Sequence, residues 1–312
     1  MNSVLAAQIT PTDIKYTSRF HYDVVQGNAA RLTLALPAQQ ALTRLAGEQI
    51  RDWQLKPEGD RQVLTIEFIK PVEKTYDLTL YTEQAVEGAD VRALLNPPQP
   101  LEVERESGAF TLSSEDTLVE TDSLAGLRRV NAAEGALAAY RFNGRPFTLA
   151  LRVKRIEPVI TVTDRVGARL EETRLLVSHH LALNVEKAGV YALELVPPSG
   201  FVVADVRGEG VEDWKSSDGK LRVSFSARVL GARTLNVQLE QALKTFPEQI
   251  VVAPLGVTGA DKETAQIGVA SAQGIRLKTA ELSGLREIPV NRLPNRSDET
   301  LAFSTEQPDW KL

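Results

Sequence analysis

The chain has 312 residues, of which 43% are hydrophobic and 25% charged, and its formal net charge is −5. These ordinary values exclude a wholly disordered chain, and the mild acidity without a dense Lys/Arg run excludes the electrostatic footprint of a nucleic-acid-binding protein. The absence of cysteine excludes disulfides, thiol nucleophiles and Cys-ligated metals, and it leaves the redox compartment open.

Hydropathy and length set two further expectations. No stretch approaches the ~18 consecutive apolar residues of a membrane-spanning helix, so no membrane span is expected within this chain. The opening "MNSVLAAQIT" lacks the basic start and apolar length of a signal peptide, so any export signal or anchor is expected outside this stretch. The length is that of two ordinary domains.

Alternation of apolar and polar residues predicts strands along the whole chain. In chain order the alternating segments are "RLTLALP", "VLTIEF", "DLTLYTE", "FTLALRVKRI", "VITVTDRV", "RLLVSHHLALNV", "YALELV", "LRVSFS" and "TLNVQLE". Between two of them, Asp218-Gly219 has the residue types of a tight hairpin turn, because both turn residues tolerate positive φ.

The two halves of the chain resemble each other. Trp53 in "GEQIRDW" and Trp214 in "GEGVEDW" are 214 − 53 = 161 positions apart, and "LTRLAGEQIRDW" aligns with "VADVRGEGVEDW" at that offset. Further on, "LAGLRRV" aligns with "LSGLREI", and "LAAYRFNGRPFTL" with "LAFSTEQPDWKL". Matches in conserved order indicate two copies of one unit.

The repeat decides an ambiguous segment. Pro37–Gln49 has the composition of a short helix, but its partner, Pro198–Gly210, is β-branched, so both are predicted to be strands. We therefore predict an all-β fold of two tandem, homologous, antiparallel β-sandwich-like units packed end to end, over residues 1–156 and 157–312.

The ends of the two copies differ. The first copy passes into the second through Glu157-Pro158 without a flexible linker, so a tight junction is expected there. Leu312 aligns with Leu149, in the middle of an alternating strand, so the last strand of the second unit is expected to be truncated.

The combination of "VRGEGVEDW", the strand set, "LSGLREI" and the closing "LAFSTEQPDWKL" resembles uncharacterised large bacterial envelope-associated proteins with tandem β-rich repeats. The resemblance implies a modular protein in the periplasm or at the cell surface of a bacterium. It implies no catalytic residue.

The Asp-Trp pairs are the candidate ligand contacts. Trp53, Trp214 and Trp310 would serve as platforms for sugar rings, with Asp52 and Asp213 accepting hydroxyl hydrogen bonds. The competing interpretation, which we favour, makes the repeated Trp a core anchor and the Asp a cap of a turn or strand end.

Other residues give weaker candidates. His179 and His180 are neighbours on a strand and point to opposite faces, so they are expected to be structural or surface histidines rather than ligands of one metal. The acidic stretches Ser113–Asp122 and Gly259–Thr264 lack the spacing of a calcium loop and are predicted to be solvated loops. Asn295-Arg296-Ser297 fits a glycosylation acceptor.

The predicted function is a non-catalytic structural or interaction module within a larger envelope-associated protein, acting as a scaffold or protein-binding repeat. Its expected partners are proteins, an envelope polymer and neighbouring repeats of the same polypeptide, with no cofactor, metal or nucleic acid. Two alternatives stay open: a carbohydrate-binding module that uses the Trp residues, and a hydrolase on a β scaffold whose paired carboxylates cannot be identified from spacing alone.

Overall fold

Strands make up nearly all of the regular structure, which confirms the predicted all-β class. The computed structural model describes residues 1–293 and 298–312, so the Asn295-Arg296-Ser297 triplet lies outside the described residues. The chain divides into two compact units, Met1–Ile156 and Glu157–Leu312. A 3₁₀ turn at Val290–Arg292 is the one helical element in the part of the chain described.

The first unit has strands at its four predicted alternating segments and further strands that alternation did not predict. They are β1 (Asn2–Ile9), β2 (Asp13–Asp23), β3 (Ala29–Pro37), β4 (Gln40–Gly47), β5 (Ile50–Glu58), β6 (Arg61–Val72), β7 (Thr75–Ala85), β8 (Asp90–Leu94), β9 (Gln99–Pro100), β10 (Ser107–Ser114), β11 (Thr117–Ala125), β12 (Arg128–Val130), β13 (Ala138–Phe142) and β14 (Thr148–Arg155).

These strands form three sheets around one core. The largest sheet has the order β12-β13-β10-β1-β2-β7-β4, and the smaller ones are β5-β6-β3-β9 and β11-β14-β8. One buried apolar cluster includes Leu5 of the largest sheet, Leu34 of the second and Leu151 of the third. A core enclosed by facing sheets is the arrangement of a β-sandwich.

The second unit has fewer but longer strands. They are β15 (Val159–Leu170), β16 (Arg174–Val196), β17 (Val202–Gly208), β18 (Val211–Ser217), β19 (Lys220–Ala242), β20 (Gly256–Val257), β21 (Lys262–Ser271), β22 (Arg286–Glu287) and β23 (Leu301–Thr305).

The strand order of the second unit is the same as that of the first. Its main path is β22-β23-β21-β15-β16-β19-β17, and β18 and β20 pair with β19 and β16. Strand β16 thus takes the places of β2 and β3, and β19 those of β6 and β7. The pairing of β16 with β19 is irregular between Val185 and Ala192, where the first unit has its loops between the corresponding strands.

The expectation of purely antiparallel sheets is wrong in one respect. Strand β1 pairs with β10 in parallel, and β15 pairs with β21 in parallel, so the main sheet of each unit is mixed. A parallel pair needs a long connection between its strands, and here the intervening chain forms β2 to β9 in the first unit and β16 to β20 in the second. Local alternation carries no information about this pairing.

Of three predictions made from local sequence, two are confirmed and one is wrong. The ambiguous segment contains strand β4 (Gln40–Gly47), as its β-branched partner indicated. Asp218 and Gly219 have φ of 52° and 74° and connect the paired residues Ser217 and Lys220 in a two-residue hairpin. The acidic stretch Ser113–Asp122, predicted to be a loop, instead forms the end of β10 and most of β11, because its outward positions carry the acidic side chains.

Membrane crossing by a helix finds no support in the structure. Among residues 1–293 and 298–312, no helix has the length and apolar character that a membrane span requires.

Candidate functional site

Trp53 and Trp214 occupy equivalent places in the two units. Trp53 on β5 lies opposite Ile66, and Trp214 on β18 lies opposite Val223. In each strand an irregularity in pairing precedes the Asp-Trp pair, between Ile50 and Asp52 in the first unit and at the equivalent step in the second. The shared register sets both indoles on the same side of their sheets.

The environments of the Trp side chains differ. Trp53 is 46% exposed, so the favoured interpretation of a core anchor is wrong for it. Trp214 is partly buried and packs against the core of the second unit. Trp310 is 4% exposed and belongs to that core, so it is unable to offer a face to a sugar ring.

Asp52 and Asp213 each interact with a residue that is close to them in sequence. Asp52 Oδ1 accepts a hydrogen bond of 2.8 Å from the backbone N–H of Trp53, as a strand-end cap does. Asp213 lies 3.8 Å from Nζ of Lys215, and both side chains are exposed. Neither Asp lines either of the two concavities described below.

A buried His–Asp pair lies in the main sheet of the second unit. His179 Nδ1 is 2.7 Å from Asp164 Oδ2, and both side chains are almost fully buried. At the equivalent places the first unit has Ser3 and Ser18, which are also buried. The two units therefore bury polar residues at the same positions of the sheet.

Carboxylates extend this polar cluster. In the first unit, Glu106 accepts hydrogen bonds of 2.8 Å from Ser3 Oγ and from Arg145 Nε. In the second unit the equivalent residue is Glu263, whose pKa is raised by burial and by the nearby carboxylates of Asp164 and Asp309. The side chains of both ion pairs, Glu106 with Arg145 and Asp164 with His179, are largely buried.

The remaining histidines, His21 and His180, each have a hydrogen-bond partner on a neighbouring strand. His180 Nδ1 lies 2.6 Å from Asn236 Oδ1, on the face of β16 opposite to that of His179. His21 Nδ1 lies 2.7 Å from Asp77 Oδ1 at the surface, and this hydrogen bond raises the pKa of His21. Among the residues that the structure describes, no group of three or more His, Asp or Glu side chains is placed to hold a metal ion.

The second unit contains a groove that sequence analysis did not identify. It lies between the segments 246–252 and 275–283, has a volume of about 370 Å³, and is called the open groove below. Its buried lining residues are Leu170, Val252 and Val269. Phe246, Val251 and Leu282 line it as well and are 55%, 41% and 42% exposed.

The open groove corresponds to a filled position in the first unit. There, β14 lies between β8 and β11 and pairs antiparallel with both. Segments 247–251 and 275–283 occupy the places of β8 and β11, but in the described part of the chain neither is assigned to a strand except at the bridge residue Ser283. The third sheet of the first unit therefore has no strand at its centre in the second.

The first two residues of the missing strand are present. Val252 and Leu312 exchange backbone hydrogen bonds of 2.8 and 2.9 Å, and Ser283 and Lys311 exchange two of 2.9 Å. These pairs match Leu95 with Leu149 and Ala125 with Thr148 in the first unit. Lys311 and Leu312 thus enter the open groove where Thr148 and Leu149 enter the third sheet.

A pair of glycines supports this correspondence. Gly126 and Gly284 have φ of 70° and 67°, and a Cβ at either would lie 3.0 Å from the carbonyl oxygen of Pro146 or 2.9 Å from that of Asp309. Glycine is required at both positions because the backbone that leads into the third sheet passes so closely. The one sequence signal for the open groove was the alignment of Leu312 with Leu149.

A second concavity of the same unit is polar and shallow. Thr163, Arg165, Gln266, Arg286 and Glu306 are among its lining residues. Neither concavity is lined by Trp53, Trp214 or Trp310.

A comparison of the sequence with models of protein families and with curated proteins gave no match.

Proposed function

We propose that the chain is a non-catalytic interaction module made of two copies of one β unit, the second of which accepts a further β-strand. The carrying observation is the open groove, which lies where β14 lies in the first unit. Strand addition provides affinity through backbone hydrogen bonds and specificity through alternate side-chain positions.

The interior of the open groove suits such a strand. Ile250, Ile275 and Leu277 are half-buried and pack against the core of the second unit. In the first unit, Leu151 and Val153 of β14 are buried at the corresponding depth. Full burial of an exposed apolar side chain of this size contributes about 1.5–3 kcal/mol, so covering these half-buried side chains contributes a part of that for each residue.

The proposal includes a scaffold role in the bacterial envelope. Facing sheets make stiff units, which suits a protein that spaces or displays binding sites. An extracytoplasmic location is supported by the resemblance to envelope-associated repeat proteins, and the absence of cysteine is compatible with it. Fractionation of the native host, with immunodetection of the chain, tests the location.

The strand-acceptor role is tested by supplying a strand in the same polypeptide. The sequence of Ala150–Ile156, with Arg152→Thr, Lys154→Thr and Arg155→Thr to remove its charges, is fused after Leu312. We expect amide hydrogen exchange in segments 246–251 and 275–282 to slow by about tenfold or more, because new backbone hydrogen bonds suppress local opening.

The matched control fusion carries Leu151→Ser and Val153→Ser in the added sequence. It keeps the length and backbone of the strand but removes the apolar side chains, so exchange is expected to stay as in the unfused chain. Equal exchange in the two fusions would contradict the proposed function.

Carbohydrate binding through Trp53 is the second candidate function. Trp53 offers a half-exposed indole on the edge strand β5, next to Asp52. Binding on a glycan array that is lost in Trp53→Ala, and kept in Trp214→Phe, would favour this candidate over the strand-acceptor role.

A further inference from the structure

The polar concavity of the second unit lies on the outer face of its main sheet. Residues such as Val166 and Ile267 point into the core, and the positions between them point outward. The concavity has a volume of about 890 Å³ and is lined by β15, β21, β23 and β22, together with the segments next to β22 and β23. Among its lining residues, all within the described part of the chain, none is aromatic.

One row of outward residues crosses these four strands. Arg165 of β15 pairs with Gln266 of β21. Ser304 of β23 lies opposite Gln266, and Arg286 of β22 lies opposite Ser304. Neighbouring strands are about 4.8 Å apart, so the three steps place the backbones of the two arginines about 14 Å apart. The row therefore has a guanidinium group at each end, with an amide and a hydroxyl between them.

The two guanidinium groups are exposed and have no partner in residues 1–293 and 298–312. Neither Arg165 nor Arg286 forms an ion pair or a side-chain hydrogen bond there. Glu287 follows Arg286 but occupies the position of β22 that points to the opposite face. By contrast, Arg169, on the same strand as Arg165, pairs with Asp298. An unpaired guanidinium group offers a planar fork of N–H donors that fits the two oxygens of a carboxylate.

Other charged groups lie around this row. Glu306 is an acidic lining residue, and Glu299 lies over the outer face of β21 with interactions of its own. Lys262 is exposed at an outward position of β21. His180 of β16 lies opposite Arg165 and has its hydrogen-bond partner on β19. The two carboxylates are thus outnumbered by Lys262 and the two arginines, so the surroundings of the row favour an anion.

The first unit differs at this row. From β1 to β12 the corresponding residues are Val4, Ala109, Arg141 and Arg128. Val4 and Ala109 form the parallel pair that Arg165 and Gln266 form in the second unit. The first unit therefore sets its two arginines side by side, with neither an amide nor a hydroxyl between them, so the separated guanidinium groups distinguish the second unit.

The side chains of the polar concavity select the class of ligand. Amides and hydroxyls form hydrogen bonds with sugar hydroxyl groups, and guanidinium groups bind carboxylates. An extended peptide needs pockets for its alternate side chains, and single-stranded nucleic acid needs aromatic platforms. The apolar lining residues, Ala265 and Leu285, belong to the core or pack against it, and no lining residue is aromatic. Charge-assisted hydrogen bonds must therefore supply most of the affinity.

We propose that the polar concavity binds an acidic glycan, a chain of sugars that carry carboxylates. The glycan lies across β15, β21, β23 and β22. Its carboxylates bind Arg165 and Arg286, and its hydroxyl groups bind Gln266 and Ser304. The site is separate from Trp53 and from the open groove, so it depends on neither of the functions proposed above.

The test uses the 312-residue chain and three probes. The first is tetragalacturonic acid, and the second is its methyl ester, which keeps the hydroxyl groups and removes the charges. The third is acetylated tetraglutamate, which keeps carboxylates and removes the sugars. Isothermal titration calorimetry at low ionic strength gives the Kd of each, and NMR of labelled protein locates the contact.

We expect the acidic tetrasaccharide to bind about tenfold more tightly than the ester or the peptide, and more weakly at high salt because the charges are exposed. Arg165→Gln with Arg286→Gln should weaken its binding by about tenfold or more, and Gln266→Ala by about threefold. The control, Arg128→Gln with Arg141→Gln, makes the same change of charge on the corresponding row of the first unit and should leave the Kd unchanged. Circular dichroism checks that each variant is folded.

Several results would overturn the proposal. Absence of binding, or equal affinity for the acid and its ester, would remove the role of the two guanidinium groups. Equal affinity for tetraglutamate would make this a site for acidic peptides rather than for glycans. An unchanged Kd in the variant of Arg165 and Arg286 would place the contact elsewhere, and loss of binding in Trp53→Ala would assign it to Trp53.

Discussion

His179 Nδ1 lies 2.7 Å from Asp164 Oδ2 inside the main sheet of the second unit, at the positions that Ser18 and Ser3 hold in the first. Among the described residues, His179 Nε2 and Asp164 Oδ1 are buried without a hydrogen-bond partner. The pair therefore lies in a low-dielectric interior and is held by one mutual contact. Loss of either residue leaves the other buried without a polar partner.

Replacement of this pair tests how far its members depend on each other. His179→Ser should lower the free energy of unfolding by about 3 kcal/mol, because Asp164 stays buried and loses its partner. The double change, Asp164→Ser with His179→Ser, reproduces the residues of the first unit and should cost less than the sum of the single changes. Urea unfolding of the four proteins gives the coupling, and additive effects would contradict it.

Glu263 should make the stability of the second unit depend on pH. Burial, together with Asp164 and Asp309, raises its pKa in the folded state above the ordinary value of 4.5. The folded state then binds more protons than the unfolded state between the two pKa values, so stability decreases as pH rises through that window and stays lower at neutral pH.

Glu263→Gln removes this ionisation and keeps the acceptor for the backbone N–H of Val257, which is 3.4 Å away. The variant should gain about 1 kcal/mol or less in free energy of unfolding at pH 7 and nothing below about pH 4. Thermal unfolding at several pH values measures this, with the exposed Glu172→Gln as control. A stability gain of the same size at both pH values would argue against the titration of Glu263.

The Trp residues should differ in their contribution to stability. Trp53→Ala should cost less than about 1 kcal/mol, because its indole is half-exposed. Trp214→Ala should cost about 2–3 kcal/mol, because its indole packs against the core of the second unit. Denaturant titration followed by circular dichroism measures both, and equal costs would mean that the two indoles have the same environment.

His21 should titrate above the ordinary histidine range. Its hydrogen bond to Asp77, with the charges of Asp77 and Asp23, raises the pKa of His21 above 6.5. The raised folded-state pKa stabilises the first unit at low pH, and this contribution is lost as pH rises through that pKa. NMR titration of the imidazole should show a decrease of the pKa in Asp77→Asn, whereas Glu172→Gln in the second unit should leave it unchanged.

Local patterns were sufficient for part of the fold. Alternation placed β3, β6, β7, β14, β15, β16 and β19, and the comparison of the two halves identified β4, whose own residues favour a helix. The hairpin at Asp218 and Gly219 could be predicted because the conformation of a two-residue turn depends on those residues alone. The chain also divides between Ile156 and Glu157, where the repeated pattern starts again.

Contacts between distant segments needed the tertiary structure. The sequence by itself determined the longer alternating strands, the hairpin and the order of the two similar halves, because period-two burial and turn chemistry act over a few residues. Only the tertiary structure decided that β1 pairs with β10 in parallel, that Asp164 meets His179, and that segments 247–251 and 275–283 flank an open groove. Each of these depends on residues far apart in sequence, whose approach is fixed when the sheets enclose a common core.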